Sequence, residues 1–276
     1  MAQITASEVN KLRQMTGSGM MDCKNALVEA EGDFDKAIEI LRKKGQKVAA
    51  KRGDREANEG LVVALAEGNR GVMIVLTCET DFVAKNAEFG QVANAIASIA
   101  LKSNAGSVDE LMKQPFADGL TIGEKVMEMV GKIGEKIEVA TLEIIEAPTV
   151  VAYNHPGNQV ASLVGLNESG DEVFEAGRDV AMQVAAMNPV AIDQDDVPQE
   201  VIDKEIEIGK DLARQEGKPE EMLEKIAKGK LNKFFKESTL LNQAFIKDNK
   251  KTVRDYLNGV KKGLTVTAFK RHSLSN

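Results

Sequence analysis

Residues 62–76, with the sequence VVALAEGNRGVMIVL, decide the fold that this chain is predicted to adopt. Two apolar runs flank a loop that contains Gly68-Asn69, and this arrangement is typical of a β-hairpin. The same arrangement returns at residues 150–164, VVAYNHPGNQVASLV, around a second Gly-Asn pair. A helical pattern follows each copy, at residues 87–101 and at residues 173–187. The repetition predicts an α+β fold with two duplicated core subdomains built from antiparallel strands.

Capping residues predict three short helices before the first hairpin. Thr5-x-x-Glu8 is a capping box, and Thr16-Gly-Ser-Gly19 ends the helix that it opens. A second helix is expected from Met20 to Glu31, where Gly32 suits a left-handed cap. Asp33 is placed to cap a third helix. These signals predict a three-helix unit at the start of the chain.

The same kinds of signal predict the elements between and after the two hairpins. Thr121-x-x-Glu124 is a second capping box, and residues 137–145 follow its helix as a strand. Apolar stripes within residues 198–236 predict two antiparallel helices, a coiled-coil arm. The arm could pack only on itself or could contact another subunit, and the two interpretations are about equal. A last helix near residues 252–260 and a strand at residues 264–269 are expected to complete the second sheet.

These elements divide the chain into three predicted domains. Residues 1–55 form the three-helix domain, and residues 56–147 form the first α+β core subdomain. Residues 148–276 form the second core subdomain, which includes the helical hairpin 198–236 and a C-terminal helix and strand module at 250–276.

The composition predicts a soluble protein of the bacterial cytoplasm. A net charge of −7 and a pI of about 5.2 disfavour a protein that binds nucleic acid through its phosphates. The basic residues between 43 and 55 are interpreted as a solvated helix end and linker, in preference to an RNA contact. The first ten residues lack the features of a signal or transit peptide, and no apolar stretch is long enough to span a bilayer.

The cysteines and histidines predict no metal site, no cofactor and no catalytic centre. Cys23 and Cys78 are isolated, which disfavours a disulfide framework or a zinc site, and two reduced thiols fit the cytosol. The chain has two His and contains neither a GxxxxGK[ST] phosphate loop nor a GxGxxG motif after a strand. We therefore expect a protein that performs no covalent chemistry.

Residues 77–86, TCETDFVAKN, join the first hairpin to its helix and contain the candidate site. Loops at such junctions often carry function. Phe82 could stand exposed for a partner, or it could pack into its own core while Asp81 caps a short helical turn. Most Phe residues are buried, which favours the core interpretation. The second copy carries the polar Glu168-Ser-Gly-Asp171 at this place, and that contrast favours a special task for Phe82.

Segments spread over nearly the whole chain resemble the elongation factor Ts family, in the family's order. They are Leu12–Lys24 (LRQMTGSGMMDCK), Cys78–Asn86, Gly131–Glu135 and Gln243–Asp248. The first two are specific, whereas the other two would be weak alone. The chain departs from the family at Ala244, where Pro is usual, and at Pro156, where Gly is frequent.

The resemblance implies a ubiquitin-associated-like fold for residues 1–55 and a role as guanine-nucleotide exchange factor for the GTPase elongation factor Tu. In the family, the loop that matches Thr80, Asp81, Phe82 and Val83 enters the GTPase domain near its magnesium ion and nucleotide. The ring of Phe82 is then expected to wedge between two helices of the partner, so that GDP leaves and GTP can enter. Asp81 either perturbs the magnesium and phosphate environment or caps its own loop, while Thr80 and Val83 support the loop.

Secondary contacts with the partner are expected from two other places. His155 and Gly157, in the second hairpin, could contact the phosphate region of the partner, although a lone His near a turn is more often solvated. Met20 and Met21 could touch the partner or could belong to the core, and the core is favoured.

The expected partner is thus elongation factor Tu in its GDP-bound and nucleotide-free forms, with no membrane and no direct nucleic-acid contact. A homodimer through the helical arm is a further possibility. The alternative function is a non-catalytic binding module whose N-terminal helices recognise another protein, and a self-associating structural protein comes third.

Overall fold

The structure is a computed structural model that describes residues 4–117 and 119–274. The described residues fall into two compact units. The first unit comprises residues 4–63 and 74–142, and the second comprises residues 64–73 and 143–274. Helices and antiparallel strands occur in both units, so the predicted α+β class is confirmed. The three-domain division with its boundaries stays a prediction.

The chain begins with three helices around a small apolar core. They are α1 (Ala6–Thr16), α2 (Met20–Glu29) and α3 (Phe34–Arg52). The capping box of Thr5 and Glu8 and the cap by Asp33 are confirmed. The core consists of residues from all three helices: Val9, Leu12, Cys23, Ala26, Leu27 and Ala37, with Ala30. The ubiquitin-associated-like character of this segment stays a prediction.

Two boundaries in this segment differ from the prediction. Helix α2 ends at Glu29 rather than at residue 31, because Glu31 and Gly32 both take positive φ and leave the helical conformation. Helix α3 continues to Arg52, so most of the basic residues after position 43 lie on a helix rather than in a linker. Lys51 and Arg52 occupy its last turn, where cations are favoured by the helix dipole.

The first predicted hairpin is confirmed, and a third strand extends it. Strands β1 (Glu59–Glu67), β2 (Arg70–Cys78) and β3 (Glu138–Glu146) form a sheet in that order. Between β2 and β3 the chain forms a series of helices. They are α4 (Asp81–Ala84), α5 (Ala87–Lys102), α6 (Val108–Met112) and α7 (Ile122–Ile133). The capping box of Thr121 and Glu124 opens α7 as predicted.

Helices α3 and α7 cross in close contact at a pair of glycines. A Cβ on Gly131 would lie 2.9 Å from the Cα of Gly45, and a Cβ on Gly45 would lie 2.8 Å from the carbonyl oxygen of Met127. Two backbones approach this closely only where neither residue carries a side chain. The glycines therefore fix where α3 lies against α7, and α7 leads directly to the residues that hold the candidate site.

The second unit is built on an antiparallel sheet that includes the last strand of the chain. Strands β4 (Thr149–Asn154) and β5 (Val160–Leu166) form the second hairpin, and helix α8 (Asp171–Met187) follows it. The prediction that a C-terminal strand completes this sheet is confirmed, because β5 pairs with the strand at Val266–Ser273.

The predicted helical hairpin forms next, followed by a short strand pair. Helices α9 (Gln199–Gln215) and α10 (Glu220–Ser238) pack through small residues, with Gly209 directly against Ala227. Strands β6 (Ala244–Phe245) and β7 (Asp248–Thr252) precede helix α11 (Val253–Val260) and the final strand β8 (Val266–Ser273). Across the described ranges, no helix is long and apolar enough to cross a membrane.

Candidate functional site

The candidate site is a single helical turn, α4, which carries Phe82 on its outer side. The Phe82 side chain is 83% exposed, whereas Ala84, two residues later, is buried. Residues two positions apart on a helix point in nearly opposite directions, because each residue turns the helix by about 100°. Since Ala84 faces the protein, Phe82 faces solvent. The interpretation of Phe82 as a core residue is therefore wrong.

The backbone of the turn is closed by its own hydrogen bonds. The N–H of Ala84 donates to the Thr80 carbonyl at 3.2 Å, and the N–H of Lys85 donates to the Asp81 carbonyl at 3.0 Å. Asn86 then caps α5 by accepting a bond from the N–H of Glu88 at 2.8 Å. What the sequence predicts as a loop is thus a helical turn joined directly to the next helix.

Glu135, just beyond the end of α7, holds the entry to this turn. Its Oε1 accepts a 2.7 Å hydrogen bond from the Thr80 hydroxyl. Its Oε2 accepts bonds from the N–H groups of Glu79 and Thr80, at 3.2 and 3.1 Å. The Thr80 hydroxyl therefore anchors the turn to Glu135 instead of capping the helix that it precedes.

The Glu79 side chain in turn accepts a hydrogen bond from the backbone of the segment that contains Glu135. Its Oε1 accepts a 2.6 Å hydrogen bond from the N–H of Lys136 and lies 2.7 Å from Nη1 of Arg52. The Lys136 N–H, followed by the Arg52 guanidinium, holds the pKa of Glu79 below its ordinary value, because both stabilise the charged carboxylate. Glu79 is consequently ionised at neutral pH and ties β2 to the segment after α7.

Asp81 starts α4 and pairs with a cation one turn later. Its Oδ2 lies 2.7 Å from Nζ of Lys85, and this contact is the main reason that its pKa lies below the ordinary value. A carboxylate in the first turn of a helix is also favoured by the helix dipole. The pair is exposed, so it contributes little to stability. Asp81 thus presents a negative charge directly beside the exposed ring of Phe82.

Cys78 lies beneath the turn as a buried thiol. Its Sγ donates to the Thr80 carbonyl at 3.2 Å. Burial, followed by the negative charge of Glu135, raises the pKa of the thiol to about 12. Cys78 is therefore protonated and unreactive at neutral pH, and it acts as a packing residue.

The secondary candidates occupy separate places. Met20 and Met21 begin α2 and are 54% and 63% exposed, so the interpretation of both as core residues is wrong. His155 is exposed in the turn between β4 and β5, where its Nδ1 lies 3.0 Å from the Tyr153 hydroxyl. Gly157, in the same turn, has φ = 92°, which other residues rarely adopt.

His155 also borders a cavity of about 300 Å³ in the second unit. Apolar side chains form most of its wall, and the lining residues are Tyr153, His155, Val160, Met182, Ala185, Ala186 and Ile246. Within residues 4–117 and 119–274, no group of three or more His, Cys, Asp or Glu side chains could hold a metal ion.

The sequence singled out Thr80 as a support of this segment but assigned no role to the charged residues that hold the turn. Arg52 belonged to the basic segment 43–55, Glu79 to the candidate segment 77–86, and Glu135 to a segment that resembles the family. The one local signal is Gly134, a residue type that commonly ends helices, which places Glu135 beyond α7 but does not identify its partner.

Comparisons with known proteins agree with the resemblance of the motifs. The family model described as Elongation factor TS matches residues 79–276. The elongation factor Ts of Christiangramia forsetii is 57% identical over 276 residues, which cover 99% of this chain and 100% of that protein. The elongation factor Ts of Cytophaga hutchinsonii is 52% identical, with 100% of both chains covered. That of Porphyromonas gingivalis is 47% identical, with 99% and 98% covered. The chain therefore belongs to the elongation factor Ts family of translation elongation factors.

Proposed function

We propose that the chain is a guanine-nucleotide exchange factor for elongation factor Tu and acts in the cytoplasm. It binds the GDP-bound GTPase, disturbs the magnesium and phosphate site, and thereby promotes GDP release so that GTP can bind. It holds no cofactor of its own and makes or breaks no covalent bond. The observation that carries the proposal is the exposure of Phe82, a residue that is 83% exposed on an anchored turn.

An exposed aromatic ring on an anchored turn is suited to insertion between elements of another protein. Burying one Phe contributes about 1.5–3 kcal/mol. Because its turn is already ordered in the free chain, little of this free energy is lost to ordering on binding. The ring can therefore stabilise a partner conformation in which the elements around the nucleotide have moved.

The charge beside the ring supports the same action. Asp81 is ionised next to Phe82, and a carboxylate brought near the phosphates of a nucleotide repels them. Magnesium requires nearly ideal octahedral geometry, so a small displacement of its ligands weakens its hold on the nucleotide. Thr80 and Val83, on either side of Asp81 and Phe82, are proposed to support the turn.

One aromatic ring is not sufficient for the whole effect. At about 1.4 kcal/mol for each factor of ten, burying Phe82 weakens nucleotide binding by only about ten- to a hundredfold. Additional contacts must hold the partner, and the exposed Met20 and Met21, with His155 and Gly157, are proposed to provide them. The coupling is reciprocal: the factor weakens GDP binding to the same extent that GDP weakens binding of the factor.

The proposal is tested by the release of fluorescently labelled GDP from elongation factor Tu, measured with and without this chain. We expect the wild-type chain to accelerate release and Phe82→Ala to lower that acceleration by about ten- to a hundredfold. Phe174→Ala is a matched control, because Phe174 is also exposed, at 45%, but lies on α8. Equal losses in both variants, or no acceleration by the wild-type chain, would refute the proposal.

A second candidate function rests on the exposed side chains of the N-terminal helices. Met15, Met20, Met21 and Val28 are all more than half exposed. Flexible Met side chains adapt to many apolar surfaces, which suits a module that recognises another protein. If Met20→Lys with Met21→Lys abolished binding to elongation factor Tu while Phe82→Ala left GDP release unaffected, this alternative would replace the exchange proposal.

A further inference from the structure

We propose that Glu135 is a positioning residue for nucleotide exchange, which holds the turn of Phe82 in the orientation needed for insertion. This inference rests on the proposed function. Glu135 does not itself need to touch the partner, because its contacts are with the backbone and side chain of the residues that lead into α4. Both of its carboxylate oxygens are engaged there, by the Thr80 hydroxyl and by the N–H groups of Glu79 and Thr80.

The turn requires an external support of this kind. Helix α4 spans only Asp81–Ala84, and so short a helix cannot persist on its own because nucleation fixes several residues for few hydrogen bonds. Ala84 supplies a single small buried side chain. Hydrogen bonds to a charged acceptor are stronger than those between neutral groups. The Glu135 carboxylate is therefore the contact best placed to stabilise the conformation of the turn.

The residues directly before and after Glu135 in the chain are themselves held by hydrogen bonds. Before it, the N–H of Gly134 donates to the Val130 carbonyl at 2.8 Å, where α7 ends. After it, Lys136 donates its N–H to Glu79 and its Nζ to the carbonyls of Gly53 and Arg55, at 3.3 and 3.2 Å. The two segments are thus joined reciprocally, since each sends a glutamate side chain to the backbone of the other.

The inference predicts a loss of order in the free chain that does not depend on any partner. In Glu135→Ala the N–H groups of Glu79 and Thr80 lose their acceptor. Their hydrogen exchange, followed by NMR in the full chain, should become at least about tenfold faster. Glu135→Gln keeps one oxygen acceptor and should restore most of the protection.

The same variants test whether that order matters for exchange. At saturating concentration of the factor, Glu135→Ala should lower the maximal rate of GDP release from elongation factor Tu by about tenfold. The concentration needed for half-maximal effect should change less, because contacts elsewhere in the chain still hold the partner. Glu135→Gln should recover most of the rate.

The matched control is Glu124→Ala. Glu124, in α7, is also a glutamate that accepts a backbone hydrogen bond, from the N–H of Thr121 at 2.8 Å. It lies in the first turn of α7, nine residues before the last residue of that helix, which is about 14 Å along the axis. Glu124→Ala should lower the thermal midpoint without changing the exchange of the Glu79 and Thr80 N–H groups or the maximal GDP release rate.

Several outcomes would overturn the inference. Unchanged hydrogen exchange at Glu79 and Thr80 in Glu135→Ala would show that the carboxylate does not hold the turn. A loosened turn with an undiminished release rate would show that positioning is unnecessary. If Glu135→Ala failed to fold, Thr80→Val, which removes the hydroxyl donor but keeps both N–H donors, must show smaller changes in the same direction in both measurements for the inference to stand. A wild-type chain that leaves GDP release unchanged would refute the proposed function, and the NMR measurement would still decide whether Glu135 orders the turn.

Discussion

Arg52 and Glu79 form an ion pair that joins the end of a long helix to the residue before Thr80. Nη1 of Arg52 lies 2.7 Å from one carboxylate oxygen of Glu79 and 2.8 Å from the other. Arg52 is the last residue of α3, and Glu79 directly follows β2. The N-terminal helices therefore contribute directly to the support of the turn that carries Phe82, through a contact in which the Glu79 side chain is largely buried.

The first prediction concerns the dependence of stability on pH. The pKa of Glu79 is lowered in the folded chain, first by the Lys136 N–H and then by Arg52. Its contribution to the free energy of unfolding is therefore complete above its ordinary pKa of 4.5 and is lost as the pH falls through the folded value. Urea unfolding between pH 3 and pH 7 should show that the free energy of unfolding falls less on acidification in Glu79→Gln than in the wild-type chain. If it fell equally in both, Glu79 would not contribute to the pH dependence.

The second prediction concerns the crossing of α3 and α7. Gly131→Ala places a methyl group 2.9 Å from the Cα of Gly45, where backbone would have to move. Overpacking costs about 1–3 kcal/mol, which outweighs the gain of roughly 1 kcal/mol in helix propensity. We expect a lower free energy of unfolding and slower GDP release, because α7 leads to Glu135.

Gly229→Ala is the control for that substitution. Gly229 lies within α10, and, apart from its chain neighbours and the backbone of its own helix, no atom of the described residues lies within 4 Å of the place that a Cβ would take. This variant should be more stable by up to about 1 kcal/mol. A destabilised Gly229→Ala, or a neutral Gly131→Ala, would argue against the predicted difference between the two positions.

The third prediction separates the two phenylalanines at the candidate site. Phe82 is exposed, so Phe82→Ala should change the free energy of unfolding by less than about 0.5 kcal/mol. Phe89, on the next helix, is fully buried, and Phe89→Ala should cost about 3–5 kcal/mol. Chemical denaturation of both variants measures the contrast. A large loss of stability in Phe82→Ala would mean that the ring is a core residue after all.

The fourth prediction concerns the helical hairpin of α9 and α10. The two helices contact each other through small residues. Ile208 and Leu212 are both exposed on α9, one helical turn apart. Adjacent exposed apolar side chains favour contact with another molecule, so we predict a homodimer through this hairpin. Light scattering after size-exclusion chromatography should show a mass that rises with concentration toward twice 29.9 kDa.

The double variant Ile208→Glu with Leu212→Glu should reduce that mass to 29.9 kDa at all concentrations. It lowers the net charge by two, and Lys228→Glu, at an exposed position on α10, lowers it by the same amount. If Lys228→Glu had the same effect, general charge repulsion rather than the apolar contact would be responsible. A wild-type chain that stays at 29.9 kDa would contradict the predicted dimer.

Local signals were sufficient for most helices and strands of this chain. The capping boxes at Thr5 and Thr121 place the starts of α1 and α7 within a single turn, because the bonds that cap a helix involve residues only three positions apart. The β-hairpins follow from apolar runs around short loops for the same reason. The end of α2 was misplaced by two residues, since the positive φ of Glu31 could not be read from its residue type.

By itself, the sequence determined the α+β class, the repeated hairpins, the helical arm and the family, since all of these are encoded in short-range patterns and motifs. Only the tertiary structure decided that Phe82 faces solvent and that Glu135 supports its turn. Residues 79 and 135 are separated by most of a subdomain, and whether their groups meet depends on how α7 lies against α3 and β2. No local pattern contains that information, because the direction of a side chain on an isolated turn is fixed by the neighbours that pack against the other side.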